Sequence, residues 1–342
     1  MRFQPTDAST IRYGLGAIKG TGESALSVIL KARHGDENDG GPFTDLFDFC
    51  RRVDKRVVNR RVIEALIRAG AFDSLDDHRH KLLASVGIAL EAAEQTERNA
   101  LQGGLFDMAG EGDGGVAPPT HYADVPRWGE RERLLNEKQA LGFFLSGHPF
   151  NEYAGELAAF VKRRLDKLAA QRDPVLMAGI VISTRTQMTR RGKMAIVLLD
   201  DATKQVEVSV FNELWEAERA KIREDELLLV EGKVQNDDYT GGLRVTADRL
   251  LTLGEARGRY AKMLRLAMNG GSRDGDAQRL QRLLAPHRGM AGGGCLVRLS
   301  YRNSEAEAEI PLPENWRVRL DEALLISLRD WLEPENVQVS YS

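Results

Sequence analysis

Hydrophobic and polar positions along the first hundred residues follow a helical period. From Glu23 onward, apolar residues recur at spacings of three and four, which predicts a helix that ends near Gly35. Comparable apolar faces follow in three further runs, at 43–49, 57–72 and 81–100. We therefore expect this region to be all helical.

The period changes to two at Val175, as expected for strands. Turn signals separate five β-rich runs, which lie at 175–186, 194–199, 205–210, 227–234 and 243–253. A short helix is predicted between the third and fourth runs, at 213–222. This order of elements is that of a five-stranded OB-fold β-barrel.

The tail from about Glu255 mixes both periods. It predicts helices at 260–268 and 277–284 and strands at 295–301, 306–310 and 337–341. These elements indicate a small C-terminal α/β domain, so the fold class is multidomain α+β.

Composition changes between Gln102 and Pro126, where Gly, Pro and acidic residues replace the periodic pattern. Such a segment is typical of a mobile linker, and a helix resumes at Arg131. The chain is expected to divide into a helical region, this linker, a helical connector, an OB-fold domain and a C-terminal domain, at 1–101, 102–126, 127–172, 173–254 and 255–342.

Charge and cysteine content narrow the possible functions. The net charge of −3 gives no general basic field, so any nucleic-acid site must be local. Cys50 and Cys295 lie far apart and lack metal-ligand spacing, which fits a reducing cytoplasm. We see no apolar signal region or membrane-spanning stretch and expect a cytoplasmic protein.

A glycine-rich stretch, Y-G-L-G-A-I-K-G-T-G-E-S at 13–24, suggests a phosphate site. A nucleotide-binding P-loop needs Lys after its last Gly, whereas Lys19 precedes Gly20. A dinucleotide fingerprint needs G-x-G-x-x-G, and the spacing here is one residue too long. Both nucleotide readings are therefore disfavoured.

The alternative is a helix–hairpin–helix that binds DNA backbone without reading bases. Gly20 and Gly22, around Thr21, are expected to take positive φ and bring N–H groups to a phosphate beside Lys19. The helix from Glu23 would add its N-terminal dipole. A glycine-closed turn without a ligand remains the competing interpretation.

A second hairpin is predicted around Gly70, which would make the helix–hairpin–helix tandem. The preceding helix carries Arg60 and Arg61, which suit a DNA backbone. Because Gly70 stands alone, a simple helix turn with a solvated arginine face is an equally good interpretation.

The predicted barrel carries basic residues on or beside its early strands, with Phe211 and Tyr239 near loops. A basic groove with aromatic platforms is typical of single-strand binding. A scaffold barrel with solvated basic loops remains the alternative. The candidate DNA contacts are Arg185, Arg190, Arg191 and Lys193.

Gln102, Leu105 and Phe106 lie where helical order is lost. Exposed Leu-Phe in such a segment is costly unless a partner covers it or it folds back on its own domain. The pattern of Gln, two spacers, Leu and Phe resembles the clamp-binding motif of bacterial replication proteins.

Three segments, 12–23, 59–73 and 145–149, resemble in sequence and order the C-terminal portion of the bacterial DNA polymerase III alpha subunit. The resemblance implies duplex DNA binding by the hairpins, an OB domain near single-stranded template, and contacts with the sliding clamp (beta subunit) and the tau subunit of the clamp loader.

The family's catalytic aspartates, which hold two metal ions, are not recognisable in this chain. Its one Asp-x-Asp, Asp274-Gly275-Asp276, is interpreted as a solvated loop. We therefore expect no DNA synthesis by this chain alone and no cofactor in it, with Mg²⁺ only at the family's upstream site. Two alternatives stay open: an independent DNA-processing enzyme and an RNA-binding OB protein.

Overall fold

The computed structural model describes residues 3–35, 40–106, 121–189, 192–237, 241–269, 275–289, 294–302 and 306–341, with side chains described throughout except at 100–106 and 269. Two compact units are present, Met1–His148 and Pro149–Ser342.

The first unit is built from helices around one apolar core. Its described helices are α1 Glu23–His34, α2 Leu46–Arg52, α3 Arg60–Arg68, α4 Arg79–Phe106 and α5 Glu130–Leu141. Leu46, Ile63 and Leu82, from three different helices, are at most 1% exposed in this core. A two-residue ladder, β1 Gln4–Pro5 with β2 Ile11–Arg12, departs from the all-helical prediction.

Local capping explains where these helices begin. The Asn59 side chain accepts from the Arg61 and Val62 amides at 3.0 and 3.3 Å, so it fixes the start of α3. Asp45 caps α2 in the same way through the Asp48 amide. Helix α4 is longer than predicted, since it continues through Gly103 and Gly104 to Phe106 rather than stopping at 100.

The second unit contains the predicted barrel. Helix α6 (Asn151–Leu157) precedes it, and the barrel elements are β3 Val175–Thr189, β4 Gly192–Asp200, β5 Gln205–Val210, α7 Asn212–Glu218, β6 Leu227–Asn236 and β7 Leu243–Leu251. The strands close in the order β3-β4-β5-β7-β6, with β5 and β7 parallel. The OB-fold prediction is confirmed.

One side of the barrel wall is covered and another is open. Outward residues of β3 and β6, such as Ile180 and Leu229, pack against Phe150, which precedes α6, and against Ala256 of helix α8, Leu253–Tyr260. On β5, by contrast, Glu207 is exposed. The wall is therefore open at β5, whereas the outward residues of β4 are half-buried.

The C-terminal part is a four-stranded sheet with two helices. Its elements are β8 Met263–Asn269, α9 Asp276–Leu284, β9 Leu296–Arg302, β10 Glu307–Pro311, α10 Glu322–Leu332 and β11 Val337–Ser340. The sheet order is β10-β9-β8-β11, and only β8 with β9 is parallel.

The helix predicted at 260–268 is wrong beyond Tyr260. Leu264 and Leu266 are fully buried and flank the half-buried Arg265, which is the period of a strand, and β8 pairs with β9. Helices α8 and α10 were not predicted. Helix α8 begins in a capping box between Thr252 and Glu255, a T-x-x-E signal that the sequence displays.

Candidate nucleic-acid interface

The first hairpin (Lys19–Gly22) joins a short 3₁₀ turn, Leu15–Ala17, to helix α1. Gly20 has φ 86°, as expected, but Gly22 has φ −68° and serves as the N-cap of α1. The expectation of two glycines with positive φ is therefore corrected. Only Gly20 needs the conformational freedom of glycine.

Thr21 holds this turn from inside. Its hydroxyl donates to the carbonyls of Leu15 and Ile18 at 2.9 and 2.8 Å, and the residue is 6% exposed. Its amide also donates to the Ile18 carbonyl. The Thr21 side chain therefore supports the hairpin and does not face a ligand.

The start of α1 is open to solvent. Gly20, Gly22 and Ser24 are exposed, and no side chain caps the helix at Gly22. The first amides of a helix lack partners in its own ladder and attract anions. Glu23, in the first turn, repels an anion. The attraction for a phosphate at this site must therefore come from the backbone N–H groups.

Lys19 packs against the C-terminal turn of α5. Its amide donates to the Ala140 carbonyl at 2.8 Å. Gly142 caps α5 with φ 95°, and a Cβ there would lie 3.2 Å from Lys19 Cε and Nζ. The exposed ammonium of Lys19 thus lies at the negative end of the α5 dipole, and Lys19 precedes the N-cap of α1, Gly22, by three residues.

The second hairpin (Ala69–Phe72) uses its glycine for internal packing. Gly70 has φ 81°, and a Cβ there would lie 2.2 Å from Arg79 Nη2. The Gly70 and Ala71 amides donate to the Ile67 and Leu66 carbonyls. These amides are already engaged, so any DNA contact here must come from side chains.

Helix α3 supplies such side chains. Arg61 is exposed, whereas Arg60 pairs with Glu64 at 2.8 Å while staying 64% exposed. Arg68 is half-buried between Glu64 and Asn136 of α5. Of the three arginines, Arg61 is therefore the best placed to meet a phosphate.

Arg79 forms a buried ionic network that the sequence did not reveal. It is 8% exposed and bonds Asp73 at 2.6 and 2.8 Å and Glu137 at 3.3 Å. Glu137 is fully buried and accepts from the amides of Leu145 and Ser146, both at 2.8 Å. The only sequence signal was a charge on the apolar face of α5.

These contacts set the protonation of Glu137. Burial alone raises the pKa of its carboxyl. Bonds from the Ser146 and Leu145 amides, the Ser146 hydroxyl and the Arg79 guanidinium outweigh burial, so the pKa lies below its ordinary value.

The barrel candidates are only partly brought together. Arg185 on β3 binds both Glu207 carboxylate oxygens at 2.9 Å, which partly neutralises it. Lys193 on β4 lies with Nζ 5.8 Å from the Trp215 ring, and Phe211 is 43% exposed at the start of α7. Arg190, Arg191 and Tyr239 lie outside the described residues.

The proposed clamp-binding residues lie on α4. Gln102, Leu105 and Phe106 belong to its last turns, although their side chains are outside the described part. The expectation that helical order is lost at these three residues is therefore wrong. A peptide that docks in extended form would first have to unwind this end of α4.

A second buried cluster lies within the Pro149–Ser342 unit. Arg257, 3% exposed, binds Glu156 at 2.7 and 2.8 Å and also pairs with Glu322. The Tyr341 hydroxyl donates to Glu156. Burial, and then the Glu156 carboxylate, raise the pKa of Tyr341. This cluster fastens α6, α8 and α10 to the chain beyond β11.

The described residues lack two kinds of feature. They contain no group of three or more His, Cys, Asp or Glu placed to hold a metal ion. None of their helices is long and apolar enough to cross a bilayer.

Family comparisons match three parts of the chain. The descriptions are helix-hairpin-helix motif at 1–82, OB-fold nucleic acid binding domain at 175–253, and DNA polymerase III subunit alpha, C-terminal domain, at 279–332. The chain thus carries two kinds of nucleic-acid-binding domain.

Curated relatives match nearly the whole chain. DNA polymerase III subunit alpha of Neisseria meningitidis is 43% identical over 99% of this chain and 29% of its own length. The subunits of Pseudomonas aeruginosa and Escherichia coli are 38% and 37% identical, each over 99% of this chain and 30% and 29% of their own lengths. The chain therefore spans less than a third of the relatives it matches.

One solved structure that is similar is the second OB-fold domain of replication protein A from Methanococcus maripaludis, at 18% identity. It covers 27% of this chain and 93% of its own, with a TM-score of 0.22, too low to add to what the strand order shows. The full-length relatives and the C-terminal family match together show that this chain belongs to the DNA polymerase III alpha subunit family and corresponds to its C-terminal region.

Proposed function

We propose that this chain is the DNA-binding and assembly part of a replicative DNA polymerase. In this proposal the first hairpin holds duplex DNA by its backbone, and the barrel holds single-stranded template. Gln102, Leu105 and Phe106 bind the sliding clamp, and the domain after Glu255 binds the tau subunit. The family relationship supports the assembly roles, and the two nucleic-acid-binding domains support the DNA roles.

One observation carries the duplex role. The start of α1 is exposed and uncapped, with Gly20 at positive φ and the exposed Lys19 three residues before the N-cap. Backbone N–H groups and one cation form a site for phosphate oxygens, and such a site is blind to base sequence.

The test is Gly20→Val, measured with two duplexes of unrelated sequence. A Cβ at Gly20 meets nothing within 4 Å, so the change acts through the positive φ alone. We expect duplex affinity to fall about tenfold for both sequences, with a shallower dependence on salt.

Gly41→Val is the matched control. Gly41 also has positive φ and open space, but it lies beyond the C-terminal end of α1. If a folded Gly20→Val variant binds duplex as tightly as this control does, the first hairpin is not the site.

A further inference from the structure

A continuous set of contacts, centred on the buried pair Arg79 and Glu137, joins the two hairpins of the first unit. On one side, the Glu137 carboxylate holds the loop after α5 through the amides of Leu145 and Ser146. That loop starts at Gly142, whose turn lies against Lys19 of the first hairpin. The position of Lys19 therefore depends on how this loop leaves α5.

On the other side, Glu137 reaches the second hairpin. Its other carboxylate oxygen accepts from Arg79 Nη1 at 3.3 Å. Arg79 also donates to the Arg68 carbonyl at 3.2 Å and occupies the space above Gly70. Since Arg68 ends α3, this contact fixes the helix that carries Arg61.

A fixed distance between the two hairpins matters for the binding of duplex DNA. Duplex DNA is stiff, with a persistence length of about 150 base pairs, so it does not adapt to a loose pair of contacts. Two backbone contacts strengthen each other only when the protein can make both at once.

We propose that Glu137 is a positioning residue. It holds Lys19 and Arg61 of α3 at a fixed distance from each other, so that both can contact the same DNA duplex. The inference rests on the proposed duplex binding. Glu137 itself is buried and touches no DNA.

The test is Glu137→Gln in the full chain. Gln has the same shape as Glu, and its carbonyl oxygen can still accept from the loop amides. Its NH₂ group, however, would face the Arg79 guanidinium, and since both groups are donors, that hydrogen bond is lost. We expect affinity for a 20-base-pair duplex to fall about tenfold as simultaneous contact is lost. The salt slope should become shallower by about one phosphate contact.

Glu94→Gln is the matched control. It removes the same charge from an exposed pair with Arg98 on α4, away from both hairpins. Because it removes a negative charge, this control is expected to bind DNA as tightly as the parent chain or slightly more tightly.

A cycle with Lys19→Ala separates positioning from general loss of structure. In the parent chain, Lys19→Ala should weaken binding about fivefold, whereas in the Glu137→Gln background it should weaken binding less than twofold. Equal losses in the two backgrounds would contradict the proposal.

Two outcomes distinguish this inference from the function it rests on. If Lys19→Ala and Arg61→Ala both leave duplex affinity unchanged, duplex binding by these hairpins fails. If both weaken binding but Glu137→Gln matches Glu94→Gln, only the positioning role fails.

Should Glu137→Gln not fold, Ser146→Ala replaces it. That change removes the 3.1 Å hydrogen bond from the exposed Ser146 to Glu137, together with the bond that the Ser146 hydroxyl accepts from Arg133. It should weaken duplex binding about twofold, and unchanged binding would overturn the proposal.

Discussion

Glu137 shows how much a single buried charge can organise. A carboxylate that is removed from water is tolerated only when hydrogen bonds and a counter-charge satisfy it. Here two amides, a hydroxyl and Arg79 do so, and they come from two separate stretches of the chain, Leu145-Ser146 and Arg79. A residue that appears in the sequence as one more helix charge therefore fixes the arrangement of the first unit.

The depressed pKa of Glu137 predicts a pH dependence of stability. Because the pKa is lower in the folded than in the unfolded chain, the carboxylate stabilises fully above the ordinary value of 4.5. This stabilisation is lost as the pH falls through the folded pKa. In urea unfolding, the parent chain should exceed Glu137→Gln by about 1–3 kcal/mol at pH 7.

That difference should shrink as the pH falls below 4.5. Because the two proteins are compared at each pH, the contributions of the other titrating carboxylates cancel. One of these is Asp201, whose pKa is also lowered. A difference that stays constant down to pH 3 would contradict this account.

Single residues also show the limit of sequence reasoning. Gly20 and Gly70 were both assigned to phosphate hairpins, and both have positive φ. Gly20 faces open space, whereas Gly70 makes room for Arg79. The reason for Gly70 is a residue nine positions away, and no local pattern reveals it.

At the scale of elements, periodicity predicted the barrel most clearly at β4 and β5, where buried positions alternate with more exposed ones. Strand β5 lies as expected at Gln205–Val210. Strand β8 was missed because its short apolar run fits both periods, and only its pairing with β9 decides between them. The basic groove was predicted by composition alone, which could not show that Glu207 neutralises Arg185.

The start of β4, next to Trp215 of α7, is a predicted site of single-strand binding. Lys193→Glu reverses a charge on β4 beside Trp215. Affinity for a single-stranded oligonucleotide should fall about fivefold at low salt and little at high salt. Lys233→Glu, exposed on β6, is the control. Equal effects of the two changes would mean that only overall charge matters.

The end of α4 predicts a clamp contact of modest strength. Leu105 and Phe106 lie in its last turn, so docking in extended form must first unwind helix, which offsets part of the apolar burial. Changing both to Ala should still remove most clamp binding in a pull-down, because a few apolar anchors dominate such contacts.

Ile326→Ala, which removes an exposed apolar side chain from α10, is the control for nonspecific hydrophobic binding. The double variant should melt within a few degrees of the parent chain. A large fall in melting temperature together with lost clamp binding would instead place the two residues in the core.

At the scale of the whole molecule, each of the two units has its own hydrophobic core. The helical core contains Ile63 and Leu82, and the barrel core contains Met177 and Val230. The division at Pro149 falls inside the stretch that sequence reasoning treated as one connector. Periodicity finds the helices of such a stretch but cannot tell which core each one joins.

This division predicts that the two DNA activities are separable. Fragments 1–148 and 149–342 should each unfold cooperatively, because each retains its buried core. The first should keep duplex affinity close to that of the full chain and lose it on Gly20→Val. The second should prefer single strands and lose that preference on Lys193→Glu. Fluorescence anisotropy with both ligands on both fragments checks this in one experiment. If the first fragment folds but binds duplex only when the second is present, the hairpins do not form a self-sufficient site.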